Sequence, residues 1–157
     1  MAHRIEVVVA TRGCLASLAA ECGAALVTLP QDFELLVVAT EEAGAEALAF
    51  GSTFRALTRA WVPRLEAASR AGAVAYLETE YFAGLGKQAA AVWRGGTLVF
   101  GPVIDDETSG VRMPLHHKPI NTALRMLGVT TRGEMDEFDS LQLGAARMNK
   151  EWAELAR

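Results

Sequence analysis

Glu78 and Glu80 stand two residues apart in the stretch Glu78-Thr-Glu-Tyr-Phe-Ala-Gly-Leu-Gly-Lys-Gln88, between apolar runs at 73–77 and 89–93. On a strand, alternate residues share a face, so Val74, Tyr76, Glu78, Glu80 and Phe82 project together. Two close carboxylates repel, one pKa rises, and a general acid results. The same pair could hold a divalent ion. The plainer expectation is that the strand leaves the core here and the pair faces water. Tyr81, Gly84, Gly86, Gln88 and Trp93 complete the candidate binding set with Glu78 and Glu80.

Other chemistries are weaker in the sequence. Gly84-Leu-Gly-Lys-Gln88 invites a phosphate-loop reading and fails it. That loop needs a glycine five residues before the Gly-Lys pair and a hydroxyl after it. Tyr81 and Gln88 occupy those places, so the glycines are read as supplying positive φ in a tight bend. His116 and His117 are adjacent, and on extended chain they point opposite ways, which disfavours a shared metal. The acidic run 105–107 adds no fixed ligand spacing, so no metal and no cofactor are expected. Cys14 follows Gly13 and could sit at a helix N-terminus, where a thiolate is stabilised, although a packed helix residue is the simpler expectation. Cys14 and Cys22 on one helix are separated by about 12 Å along its axis, too far for a disulfide. No Gly-x-Ser-x-Gly elbow is present.

The elements that must position these groups follow from periodicity. The run 5–10 is β-branched and reads as a first strand. Leu15, Leu18 and Cys22 recur at helical spacing, with Gly23 as the C-terminal cap. Residues 25–29 and 33–39 read as a hairpin around Pro30-Gln-Asp32. The segment 40–51 is rich in Ala and Glu, and Ser52 or Thr53 could cap the next helix. Phe54, Leu57, Trp61 and Leu65 form an apolar stripe, in which Pro63 either kinks one helix or opens a second. Arg55, Arg59, Arg64 and Arg70 on that stretch could make a basic face or simply solvate it. Strand 73–82 follows. Arg94-Gly-Gly96 signals a hairpin, with 88–93 as a strand or a helical turn. Residues 105–119 read as a long loop, Pro119–Gly128 as a capped helix, 135–141 as a short helix, and 145–156 as a last helix with Met148, Trp152 and Leu155 on one face. Trp152 could be core or a homodimer anchor.

With 157 residues, 51% hydrophobic and 22% charged, the chain fits one globular domain spanning 1–157. The order of elements favours α+β: a mixed or antiparallel sheet with helices packed on it and a helical C-terminal third. A net charge of −4 argues against bulk nucleic-acid binding. No stretch approaches the roughly 18 apolar residues of a membrane span, and the first apolar run is too short for a signal peptide. A cytoplasmic location with reduced cysteines is expected.

Glu80-Tyr-Phe-Ala-Gly-Leu-Gly-Lys-Gln88, the following Ala-Ala-Ala-Val-Trp93, and Asp136-Glu-Phe-Asp-Ser-Leu-Gln-Leu143 resemble a family of small uncharacterised proteins of high-GC bacteria. Its patterns run Glu-Tyr-Phe-Gly-Gly-x-Gly-x-Gln and Asp-Glu-Phe-Asp-x-Leu-Gly-Leu. This chain departs at Ala83 and Gln142, where the pattern has Gly. The Arg excess over Lys and the abundance of Ala and Gly fit such a source. The resemblance carries no activity and no catalytic residues, and it is similar to immunity proteins by analogy alone. The expectation is a protein-binding module of immunity or regulatory type, with an acidic and aromatic surface at 78–88 and a basic partner. The alternative is a small-ligand binder or enzyme using Glu78 or Glu80 as general acid or base, with Tyr81, Gln88 and His116 or His117 nearby. A concave setting for the two carboxylates favours the second, and a flat one the first.

Overall fold

The computed structural model describes residues 2–38 and 44–156. Among them, β1 (Ala2–Thr11), β2 (Leu26–Leu29), β3 (Phe33–Val37), β4 (Val74–Phe82), β5 (Leu85–Arg94) and β6 (Thr97–Asp106) form one sheet. The strand order is β2-β3-β1-β4-β5-β6, and every neighbouring pair is antiparallel. The helices are α1 (Ala16–Cys22), α2 (Trp61–Ala68), α3 (Pro119–Leu127), α4 (Glu137–Ser140) and α5 (Asn149–Leu155). The architecture is α+β, one domain, with an antiparallel rather than a mixed sheet.

Both faces of the sheet are covered. Ile5, Val7, Ala75, Leu77, Ala90 and Val92 pack beneath Ile120, Leu124, Leu141 and Trp152 of the C-terminal helices. Val8, Val74, Tyr76, Ala91 and Trp93 pack beneath Leu15, Leu18, Phe54, Leu57 and Leu65. A strand buried on both sides has no polar face, which is why β1 reads as a continuous apolar run. Ala90 of β5 packs on the face covered by α3, whereas Ala89 and Ala91 face the other core, and the strand reading of 88–93 holds over the helical one. Gly23 (φ 65°) and Gly128 (φ 100°) end α1 and α3 in the left-handed conformation, as the sequence requires. Pro119 opens α3, where its missing N–H has no intrahelical partner to lose.

Several expectations are corrected. Helix begins only at Trp61, so the stripe 54–65 is half irregular chain, although Phe54 and Leu57 are fully buried. Neither Ser52 nor Thr53 caps a helix. Pro63 is the third residue of α2 and neither kinks nor opens it, because the first-turn N–H groups need no intrahelical acceptor. Asp105 and Asp106 belong to β6, and the expected loop after them carries single 3-10 turns at Glu107–Ser109 and Leu115–His117. The last helix is shorter than expected. Of its proposed apolar face only Trp152 is buried, so Trp152 is core and not an exposed dimer anchor. The expectations for residues 39–43 lie outside the described residues. No helix among the described residues is long and apolar enough to cross a membrane.

Candidate functional site

β4 pairs with β1 in a register that sets Glu78 beside Glu6 and Glu80 beside Arg4. Glu78 and Glu80 therefore do share a face. They do not share an environment. Glu78 is 3% exposed, whereas the Glu80 side chain is 48% exposed. The backbone N–H groups of Arg55 and Ala56 donate to Glu78 Oε1 and Oε2 at 2.8 and 3.0 Å, and the Tyr76 hydroxyl donates to Oε2 at 2.6 Å. Burial pushes the Glu78 carboxyl above its ordinary value, and these hydrogen bonds together with Arg55 pull back against it. Burial and the neighbouring Glu78 push the Tyr76 phenol well above its usual range.

Arg55 is the cation of this cluster. Its Nε donates to Glu6 Oε1 at 2.6 Å, and one Nη donates to the Thr79 carbonyl at 2.7 Å and the Ile5 carbonyl at 3.2 Å. The other Nη lies 3.6 Å from both Glu78 and Glu80. The guanidinium thus bridges β1, β4 and the irregular segment before α2. That removes Arg55 from any basic face and makes Glu78 a clamp for this segment. The recess beside the pair has a volume of about 40 Å³, room for one or two waters and no substrate.

The remaining candidates split by parity. Trp93 lies in the core under Phe50 and is not part of any surface. Gly84, with Ala83 before it, makes the two-residue turn between β4 and β5, with φ of 79° and 54°. That is the turn type whose both central residues need positive φ. Gly86 faces Tyr81 across the hairpin, and a Cβ there would collide with the Glu80 carbonyl. Tyr81 and Gln88 point to the opposite face from Glu78 and Glu80, where they join a second, larger concavity.

That cleft has a volume of about 340 Å³. Its floor is Thr79, Tyr81 and Gln88 of the sheet, and its walls include Lys118 and Ile120 at the start of α3, Phe138 of α4, and His3 of β1. Gln88 fixes the geometry. Its Oε1 accepts the Ile120 N–H at 2.9 Å, serving as the cap that the N-cap residue Lys118 does not supply, so its amide group must donate to the Tyr81 hydroxyl at 3.0 Å. Tyr81 accepts there, and its own proton finds no acceptor among the described residues. Burial raises the Tyr81 phenol, while Gln88 and Lys118 oppose the rise. Lys118 Nζ donates to Asp105 at 2.6 Å and lies 3.6 Å from Glu107. Burial alone would lower its ammonium, and the Asp105 hydrogen bond together with the charges of Tyr81, Asp105 and Glu107 more than reverses that. Asn121 ties the far wall together. It donates to Asp136 and to the Leu115 carbonyl and accepts the Phe138 N–H.

His3 closes the cleft at its inner end. Its Nε2 lies 3.2 Å from the Leu143 carbonyl and must carry the proton, which leaves Nδ1 to accept from Thr79 Oγ1 at 2.7 Å. Burial lowers its pKa. The histidines singled out by the sequence, His116 and His117, stack edge to face on an exposed turn and do not line the cleft. Among the described residues, no cluster of His, Cys, Asp and Glu side chains could hold a metal ion. Cys14 precedes α1, but Glu34 takes the Gly13 and Leu15 N–H groups there at 2.9 Å each. Burial and that carboxylate raise the Cys14 thiol, the opposite of activation.

Sequence reasoning missed Arg55, His3, Lys118 and Asn121. Their partners lie 6 to 140 residues away along the chain, and no single local spacing encodes that. One signal was available: a period of two already sets Tyr81 and Glu80 on opposite faces, so the set could not have been one surface. No family model, curated protein or solved structure matches the chain.

Proposed function

We propose that this chain binds a small molecule in the cleft between β4, β5 and the start of α3, with Tyr81, Lys118 and Glu107 as its polar contacts. One observation carries the reading. Tyr81, Gly84 and Gln88 of the first stretch that resembles the bacterial family, and Asp136 and Phe138 of the second, line the same concavity. Its volume, apolar walls and few convergent polar groups are those of a ligand site. Two of its ionisable groups are already engaged: Lys118 with Asp105, and His3 between Thr79 and Leu143. That favours binding over proton-transfer chemistry. A thermal-shift screen of metabolites should find a ligand that raises the melting temperature of the native chain and loses at least half of that effect in Tyr81→Phe. A ligand whose effect survives both Tyr81→Phe and an enlarging Leu115→Trp on the cleft wall binds elsewhere and overturns the reading.

A second reading, a protein partner, draws on the other face. Phe82 is 71% exposed, Leu85 45% and Ile104 40%, all on the side of the hairpin that carries Glu80. Large apolar side chains rimmed by charge suit a protein interface. Pull-down from the native host with wild type and Phe82→Asp tests it. A partner retained equally by both would count against this surface.

A further inference from the structure

We propose that the cleft selects a cationic amine on an apolar body and rejects carboxylates of the same shape; this rests on the reading of the cleft as a ligand site. The argument is one of charge. Lys118 is the single cation on its wall, and two carboxylates neutralise it, Asp105 at 2.6 Å and Glu107 at 3.6 Å. Asp136 adds a third carboxylate on the opposite wall. His3 adds no charge, because one ring nitrogen donates to Leu143 while the other accepts from Thr79. Outside the lining, Arg125 pairs with Glu137 at 3.0 Å, and the charges of Arg147 and Glu151 act on His3 with opposite sign. The lining therefore carries an uncompensated negative charge in a partly desolvated recess, where charges interact more strongly than in water.

The acceptors have capacity to spare. Glu107 Oε1 takes only the Gly86 N–H, at 3.3 Å, and Oε2 faces Lys118 without a short hydrogen bond. Each carboxylate oxygen has two lone pairs. An ammonium entering the cleft can be met by Glu107 and Asp136, while Ile120, Leu115 and Phe138 cover its apolar part. A carboxylate in the same place would meet Lys118 already doubly paired and two acidic groups. Tyr81 offers one free proton, which suits a hydroxyl or carbonyl on either kind of body.

The test is an NMR titration of the full chain with three aromatic probes of similar shape: 2-phenylethylamine, 2-phenylethanol and 3-phenylpropionate. The amine is expected to bind most tightly, shifting Tyr81, Phe138 and Ile120, with the carboxylate weakest. Glu107→Gln should weaken the amine on the order of fivefold and the alcohol by much less. Added salt should weaken the amine alone, a readout that does not depend on any variant folding. A carboxylate that binds as tightly as the amine at these residues would overturn the charge preference and leave the cleft as a binding site. So would an amine no tighter than the alcohol, or one indifferent to both Glu107→Gln and salt. If none of the three probes moves the cleft resonances at millimolar concentration, the ligand-site reading fails and takes this inference with it.

Discussion

Arg55→Met removes the cation from the cluster around Glu78 while keeping most of the stem volume. Glu6 and Glu78 are directly opposed across β1 and β4, both are buried, and Arg55 is the charge within reach of both. Breaking a buried ion pair by deleting one partner costs about 3–5 kcal/mol, because a charge is left uncompensated. The Arg55 side chain is 22% exposed, so water softens the loss and the lower end, about 3 kcal/mol, applies. For a chain of this size that is a fall of about 6–12 °C in melting temperature. The loss should also depend on pH. Glu78 already has a raised carboxyl in the folded state, so the fold holds that proton more tightly than the unfolded chain does. Its contribution to stability is therefore full below the ordinary carboxylate range and shrinks as pH rises through the raised value. Without Arg55 this slope steepens. The variant should recover part of its deficit between pH 7 and pH 5, measured by urea unfolding at each pH. A deficit below about 1 kcal/mol, or one equal at both pH values, would refute the view of Arg55 as a buried counter-ion.

Ala83 and Gln142 hold φ of 54° and 56°, the left-handed region that favours glycine. Each of Ala83→Gly and Gln142→Gly should gain about 0.5–1 kcal/mol, whereas the control Ala90→Gly within β5 should lose a similar amount. Denaturant midpoints at constant slope would check all three. Gln88→Ala orphans the Ile120 N–H at the start of α3 and should cost about 1–2 kcal/mol, with faster amide exchange at the first turn of α3. His3 has a lowered pKa through burial, so the folded state resists its protonation. Its share of stability is present above the unfolded value near 6.5 and is lost as pH falls through the lowered folded one. His3→Gln should flatten that part of the acid unfolding profile, and an unchanged profile would show that His3 does not contribute.

Local signals carried the framework. Gly128 after an apolar period, Pro119 before it, and the β-branched run at Ile5 each specify their element through backbone conformation alone, and the structure follows them. The shared face of Glu78 and Glu80 was equally legible, since a strand has a fixed period. What that face meets was not. Glu78 reads as surface charge because carboxylates are rarely buried, and the distant Arg55 and Ala56 donors, joined by Tyr76 on the same strand, reverse that expectation. The stripe from Phe54 to Leu65 failed for a related reason: both residues are core, but irregular chain can bury apolar side chains at any spacing. The cleft was half visible, in Tyr81 and Gln88. Lys118, placed in a presumed loop, and His3, near the chain start, carried no pattern that separates a lining residue from a solvated one.

The position of β1 in the sheet has a consequence for synthesis. One edge of this strand pairs with β3, residues 33–37, and the other waits for β4, residues 74–82. A nascent chain that has emerged only as far as residue 70 therefore presents an apolar strand with one row of backbone groups unpaired. Such an edge is a template for pairing with neighbouring chains. Slow translation between the two segments should thus raise the yield of insoluble product.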